Sequence, residues 1–419
     1  MTNKTEKWLE KIKQTKGKRK SQVCKVYELK FDMSHLSKEK SIYLKQLFLE
    51  AKWLYNSILS QEDIFKFDVK NKKIFVLNKD RNQIEKELKV LSSQMRQAIY
   101  QKVCYSIKSL STKKKKGKQK EVGRLKFKNQ INAIVLNQFK VTYKFENKKY
   151  IKIQGFKKHF KILGYSQIPE NSEFANANLI RKCGNYYLKV TCFLSKEEKI
   201  KTGKSIGLDF GIKDSVVDSS GNKYNFQFLE TKQLKKVSRK MNKKVKGSNN
   251  RYKQKLDLQK QYEKISNKKK DCKNKFVSKL IKENDVVCIQ NEQIHNWAKS
   301  KMKGFGKKIQ HSMMGGIISD LKKKSETTVI DRFFPSTKLC PNCGCINKIG
   351  LAERVYNCDC GYSKDRDVHS AINILNQGLK QIGRESTNPM LVENKTSVFS
   401  KLFYIEKISL FDETRSPLL

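Results

Sequence analysis

Ser205, Ile206, Gly207, Leu208, Asp209, Phe210 and Gly211 make a short apolar strand that ends on an acid. Residues 215–219 read as a second strand, and Ser220, Gly221 and Asn222 supply the turn into a third at 224–228. A basic segment of helical period, 234–282 with a break at 247–250, follows, its apolar seam given by Leu258, Tyr262, Ile265, Cys272, Phe276 and Leu280. Next come a buried-type strand at 285–292, another at 329–334 and a short helix at 367–379. Glu292 closes the fourth strand and Asp367 opens the last helix, so three acids stand at the ends of apolar elements.

A strand hairpin, then helix, strand and helix, with acids on the first strand, late, and on a terminal helix, is the ordering of the RNase H-like fold. Carboxylates so placed hold two Mg²⁺ or Mn²⁺ ions about 4 Å apart, one activating water and one steadying the leaving oxygen of a phosphodiester. Oxygen ligands do not suit zinc. Each acid alone is weak evidence, since a strand-end Asp is more often a cap. The same strand also resembles the phosphate strand of sugar kinases and actin-like ATPases. That reading needs a later Asp-Gly loop, and Gly315 and Gly316 have no Asp beside them.

Five of the 11 cysteines crowd into one stretch, Cys340, Cys343, Cys345, Cys358 and Cys360. Cys340-Pro341-Asn342-Cys343-Gly344 has the form of a zinc knuckle: the spacer turns both thiolates to one ion and the glycine permits the tight turn. The second pair, Cys358 and Cys360, is one residue shorter than usual, which leaves Cys345 as an alternative ligand. One structural zinc is expected, closed by thiolates and without an open position for catalysis.

Lys and Arg total 91 against 40 Asp and Glu, a formal charge of +51, and Lys predominates, which suits phosphate contacts better than base reading. The partner implied is nucleic acid. A membrane is not, because the chain has no apolar run of spanning length and its first twenty residues are charged throughout, with no signal peptide. The cysteine usage fits a reducing compartment, so the expected location is cytoplasmic, in the bacterial cytoplasm or nucleoid.

Residues 1–20 are a basic arm of low apolar content, expected to be mobile until a partner binds, and 23–31 alternates as a strand. Leu44, Leu47, Phe48, Ala51, Leu54 and Ile58 predict an amphipathic helix over 36–60, and a second helix is expected over 83–110. The Lys-rich run 111–120 reads equally as a solvated linker or a phosphate-tracking loop. Stretches rich in Val, Ile, Tyr and Phe between 133 and 194 predict a small β-rich domain, and the tail beyond Glu385 is expected to be partly disordered.

The order from Gly207 to Asp214, then Asp331-Arg332-Phe333-Phe334-Pro335-Ser336-Thr337-Lys338-Leu339 running into the first Cys pair, Glu353-Arg354-Val355-Tyr356 before the second, and Asp365-Arg366-Asp367-Val368, resembles the TnpB (OrfB) family of insertion sequences. The match runs from about Lys204 onward, more loosely before it. The resemblance implies an α/β multidomain protein: an RNase H-like RuvC nuclease domain with a zinc-ribbon insert, preceded by a β-rich wedge domain and a helical recognition lobe. The boundaries expected are 1–30 for the basic arm and first wedge strand, 31–120 for the lobe, 121–203 for the wedge, 204–380 for the nuclease with its insert at 335–363, and 381–419 for the tail.

The resemblance further implies a Mg²⁺-dependent DNA endonuclease that binds a noncoding guide RNA copied from the transposon end and cuts matching double-stranded target DNA. On it, Asp209, Glu292 and Asp367 carry over as catalytic metal ligands, and Cys340, Cys343, Cys358 and Cys360 as zinc ligands. The sequence departs from the family pattern in two further places. His369 and Ser370 stand where the family usually has Asn and Ala, which predicts altered hydrogen bonding at the metals. Many members also carry the middle Glu two positions earlier, where this chain has Gln290, so either the strand bends or the cleft is set deeper. The alternative from a different class is a nuclease-inactive, RNA-guided DNA-binding protein acting as a repressor or transposition modulator. A structural nucleic-acid binder and a strand-joining transposase fit the ordered acids less well.

Overall fold

The computed structural model describes residues 2–77, 82–117, 121–196, 200–226, 231–299, 305–350 and 352–384. The chain divides into two compact units, Met1–Glu198 and Lys199–Leu419. The expected tail beyond 384 and part of the 111–120 run lie outside the described residues.

The first unit runs α1 (Thr2–Lys20), β1 (Gln22–Phe31), α2 (Lys38–Leu59), β2 (Lys73–Leu77), β3 (Gln83–Glu87), α3 (Ser93–Lys115), β4 (Ala133–Leu136), β5 (Tyr143–Glu146), β6 (Tyr150–Ile153), β7 (Phe160–Leu163), β8 (Glu173–Lys182) and β9 (Asn185–Ser195). Seven strands form an antiparallel sheet in the order β4-β8-β9-β1-β7-β6-β5. Phe139 and Phe145 pack on Phe174, and the Tyr143 hydroxyl donates to Ala175 O at 2.8 Å, so the sheet curls β5 back towards β8. A register shift between Phe174 and Ala177 supplies the bend. The α2 stripe, Leu44, Leu47, Phe48, Ala51, Leu54 and Ile58, is buried in the same core as the sheet. The buried Glu50 ties α2 to the entry of α3 by accepting from the backbone amides of Lys89, Val90 and Leu91.

Two expectations are corrected here. Thr2–Lys20, for which the sequence suggested no regular element, is helical, and its end is anchored by Arg19, which donates to Glu173 at 2.8 Å and lies 3.6 Å over the Phe193 ring. Its Lys-rich sequence has good helix propensity, and the basic last turn suits the helix dipole. The second helix does not begin at 83. Gln83–Glu87 alternates and pairs with β2, and α3 starts only where Ser92 caps it by accepting from Met95 N.

The second unit runs β10 (Ser205–Asp209), β11 (Val216–Asp218), β12 (Lys223–Tyr224), α4 (Lys232–Asn242), α5 (Asn249–Glu283), β13 (Val286–Gln290), α6 (Ile294–Ala298), α7 (Phe305–His311), α8 (Met314–Lys324), β14 (Glu326–Ile330), β15 (Val355–Asn357), β16 (Ser363–Asp365) and α9 (Arg366–Gln381). Its main sheet has the order β12-β11-β10-β13-β14, antiparallel over the first three strands and parallel over β10, β13 and β14. This is the RNase H-like arrangement. The hairpin turn is organised by the buried Asp218, which accepts from Ser220 N, Asn222 N, Asn222 Nδ2 and the Tyr224 hydroxyl at 2.9–3.1 Å. Only the C-terminal end of the α5 seam is buried, at Phe276, Val277 and Leu280; Tyr262 is exposed, and α4 packs beside α5.

Strand alternation sends side chains to two layers. Ile206, Leu208, Val287 and Ile289 pack with the α5 and α8 residues Phe276, Leu280, Ile317 and Leu321. Val286, Cys288 and Ile330 pack on the other face with Ile374 of α9. That face is tight because it is lined by glycine. A Cβ at Gly207 would stand 2.8 Å from Leu375 Cβ and closer still to Ala371 O, and one at Gly378 would stand 2.7 Å from Cys288 Cβ. No helix among the described residues is long and apolar enough to cross a membrane.

Gly207→Ala is therefore expected to destabilise the second unit by about 1–3 kcal/mol, because the obstructing atom is backbone and α9 must lift. Denaturant unfolding checks this; a midpoint unchanged from the native chain contradicts the packing.

Candidate active site

Parallel pairing of β10 with β13 sets Leu208 opposite Ile289, so both strands end at one edge. Asp209 is the last residue of β10, on the α9 face two residues after Gly207. On α9, Ala371 and Leu375 cover Gly207, so one turn towards the helix N-terminus lie Asp367 and Ser370, over Asp209. Asp365 caps that helix, accepting from Asp367 N and Val368 N, and is itself held by Lys223 Nζ at 2.6 Å.

β13 ends at Gln290, and the Glu292 N–H donates to Gln290 O at 2.9 Å, folding the chain in a tight turn rather than extending it. The strand bends, as one of the two alternatives required, and Glu292 comes near enough for its charge to act on Asp209. Asp367 and Glu292 thus both lie within electrostatic range of Asp209. Burial, then the carboxylates of Asp367 and Glu292, push the Asp209 carboxyl up to about 7, against the Ser370 hydroxyl and Arg366. Burial also raises Glu292, which the Arg332 guanidinium pulls back. Among the described residues only the cysteine cluster draws its ligand atoms together into a closed group, but the three acids offer an all-oxygen donor set whose repulsion at Asp209 a divalent cation would relieve, which suits Mg²⁺ or Mn²⁺.

Gln290 itself is spoken for. Its Nε2 donates to Asp331 O, Arg332 O and Phe334 O at 2.9–3.2 Å, and its Oε1 accepts from the Ser336 hydroxyl at 2.9 Å. Ser370 donates to Ser336 at 3.0 Å, and Asn373 Nδ2 donates to Ser336 O and Leu339 O at 2.7 Å. A buried polar chain therefore runs from the end of β13 through Ser336 to Ser370, which touches Asp209. The sequence reading did not single out Ser336 or Asn373. Their signal was the polar positions 367, 370 and 373, three apart on an otherwise apolar helix face.

Beyond that chain lies the cysteine cluster. The sulfurs of Cys340, Cys343, Cys358 and Cys360 all lie within 4.8 Å of one another, and Cys345 is exposed and outside the group. Gly344, at φ +78°, makes the knuckle turn, its N–H donating to Cys340 O. The Cys360 thiol is lowered to about 6 chiefly by the Tyr362 amide, whereas burial pushes Cys340 up to about 12. The short second pair closes the set because β15 and β16 pair as a hairpin on either side of it. Four convergent sulfurs can hold one structural zinc.

The OrfB_IS605 family model, described as a probable transposase, matches residues 187–301, and the Cas12f1-like TNB domain matches residues 321–374. From β9 onward the chain is TnpB (OrfB)-like. A putative RNA-guided DNA endonuclease of Streptomyces pristinaespiralis is 32% identical over 222 residues, 51% of this chain and 55% of that protein. TnpB-like protein L79 of Acanthamoeba polyphaga mimivirus is 29% identical over 215 residues, 46% of this chain and 41% of that protein. The chain spans about half the length of these curated relatives. A cryo-EM structure of a Cas12f1–sgRNA–target DNA complex aligns at a TM-score of 0.48 and 12% identity, over 85% of this chain and 99% of that one.

The two residues that depart from the TnpB pattern after the last Asp face different ways. Ser370 faces Asp209, whose carboxyl its hydroxyl holds down against burial, and donates to Ser336. His369 turns to the zinc insert instead, stacking on Tyr356 at 3.9 Å and 10°, with Nε2 3.1 Å from Asn373 Nδ2. Buried there, its ring is held neutral, the pKa lowered to about 4 by desolvation. It does not join the acids.

Two predictions follow from this geometry. A carboxyl whose folded pKa is near 7 binds more protons folded than unfolded between about pH 4 and 7, so metal-free stability falls as pH rises through that window. Thermal unfolding of zinc-loaded protein without Mg²⁺ is expected to show this fall, with Mg²⁺ restoring stability at pH 7.5 and Asp209→Asn removing both effects; parallel curves for native and variant would refute it. Elemental analysis is expected to give one zinc per chain, lost with stability in Cys340→Ser and Cys343→Ser and kept in Cys345→Ser. Zinc loss in the Cys345 variant would move the ligand set.

Proposed function

We propose that this chain is an RNA-guided DNA endonuclease, which binds a transposon-derived noncoding RNA and hydrolyses complementary target DNA at Asp209, Glu292 and Asp367. What supports the reading is the placement of Asp209 at the end of β10, Glu292 just after β13 and Asp367 in the first turn of α9, with the charges of the last two acting on Asp209. The names of the relatives support it, as does the formal charge of +51, which a bound RNA and DNA would neutralise. Specificity would come from base pairing, leaving the protein to supply charge, shape and the cut.

Two Mg²⁺ ions held by the three carboxylates would supply an activated water and a charge sink for the leaving 3′ oxygen. The chain's own part is to hold the acids close and fixed, while a bound cation would favour their ionised forms. Ser370 lies against Asp209, the β13 turn aims Glu292, and the Asp365 cap fixes the first turn that carries Asp367. Lys232, Lys235, Lys236, Arg239, Lys240 and Lys243 on α4 form a cationic face suited to phosphates.

With the copurified RNA and a matching DNA, Glu292→Gln is expected to lower cleavage by roughly 100-fold or more without loss of binding, since only a metal ligand changes. Gln290→Ala should cost stability as well as rate, at about 1–3 kcal/mol for the buried partners left unpaired. Normal cutting by Glu292→Gln would refute the assignment and leave a guided binder.

A further inference from the structure

Residues 331–336 form a stiff rim beside the acids. Gln290 holds three of its carbonyls, the Asp331 carboxylate accepts from Phe333 N at 2.7 Å, and Ser336 N donates to Phe334 O at 2.8 Å. Successive aromatics then part. Phe334 packs against the cluster of Val286, Cys288, Ile330 and Ile374, while Phe333 is 73% exposed, the most exposed aromatic among the described residues.

A lone exposed apolar side chain is ordinary, but this one has two unusual neighbours. The Arg332 guanidinium lies 5.4 Å from the Phe333 ring centroid. The Arg332 carbonyl accepts from Gln290 Nε2 at 3.0 Å, which seats this residue beside the end of β13, just before Glu292. Ring and guanidinium therefore stand together beside the strand end that precedes Glu292, on a backbone that cannot easily collapse to bury the ring.

We propose that Phe333, with the Arg332 guanidinium beside it, is a stacking platform for one unpaired base of the single-stranded DNA entering the acidic centre. The proposal rests on the nuclease reading. A phenyl face accepts any base, and an adjacent guanidinium adds cation–π attraction and a phosphate contact, so the grip tolerates sequence as a guided nuclease requires. A base inside a duplex is already stacked on its neighbours and offers no free face without the cost of unstacking. The platform thus favours a strand that has been opened over one still paired, and it would seat the adjoining phosphate against the acids.

The test uses the full chain with Ca²⁺ in place of Mg²⁺, and short single-stranded DNAs in which 2-aminopurine, quenched by stacking, is stepped through each position. The native chain and Phe333→Trp are expected to quench it at one position. Phe333→Ala and Phe333→Leu should leave it bright and bind the strand roughly 5- to 100-fold more weakly, the range for one stacked base, with duplex affinity within about twofold of native. The leucine variant keeps apolar volume and separates stacking from plain hydrophobic contact, and since the ring is exposed, all variants should unfold at the native temperature. Equal quenching and affinity in native chain and Phe333→Ala overturns the platform, as does an equal loss on strand and duplex. If the native chain binds neither DNA, the nuclease reading fails first.

Discussion

The second unit depends on how closely α9 lies on the sheet. Gly207 on β10 and Gly378 on α9 leave no side chain between strand and helix, so Ala371 O and Cys288 sit where Cβ atoms would otherwise be. The register follows from that contact. With Ala371 over Gly207, the preceding turn must place Ser370 and Asp367 over Asp209, and two acids distant in sequence share one small volume. A larger residue at 207 would separate them without touching either carboxylate.

The third acid reaches the same volume by a different route. Many TnpB chains carry a Glu directly after the apolar run, whereas here that position is an amide that holds the 331–336 loop by donating to three carbonyls and accepting from Ser336. A carboxylate could not donate those bonds. The tight turn after Gln290 delivers Glu292 instead. One position serves as scaffold and the residue two further on supplies the charge, and the scaffold extends through Ser336 and Asn373 to Leu339, next to Cys340 of the four-sulfur cluster. Zinc insert and acids are therefore joined by buried hydrogen bonds as well as by sequence.

Much of this was legible beforehand because it rests on local chemistry. The turn at Ser220-Gly221-Asn222, the apolar run of β13 up to Gln290 and the acids at element ends follow from period and turn residues, and the Cys340 knuckle follows from spacing. Whether Cys345 or the short second pair completed the sulfur set depended on the β15–β16 hairpin, which spacing alone does not fix. The α1 helix was missed because no apolar stripe marks it; Arg19 anchors it through Glu173 and Phe193, contacts remote in sequence. β3 was read as helix since Gln83–Glu87 is short and polar, and only its pairing with β2 decides its form. The roles of Gln290 and Ser336 were hidden for the same reason: both act on partners more than forty residues away.

The central claim is that Asp209, Glu292 and Asp367 form one metal site. It is tested most directly by anomalous scattering from crystals of the zinc-loaded chain soaked in Mn²⁺. The account predicts Mn²⁺ peaks among the three carboxylates, with Gln290 Oε1 still on Ser336, and none in Asp209→Asn. Mn²⁺ bound by Asp209 and Asp367 with Glu292 turned away, or no Mn²⁺ there at all, would contradict it.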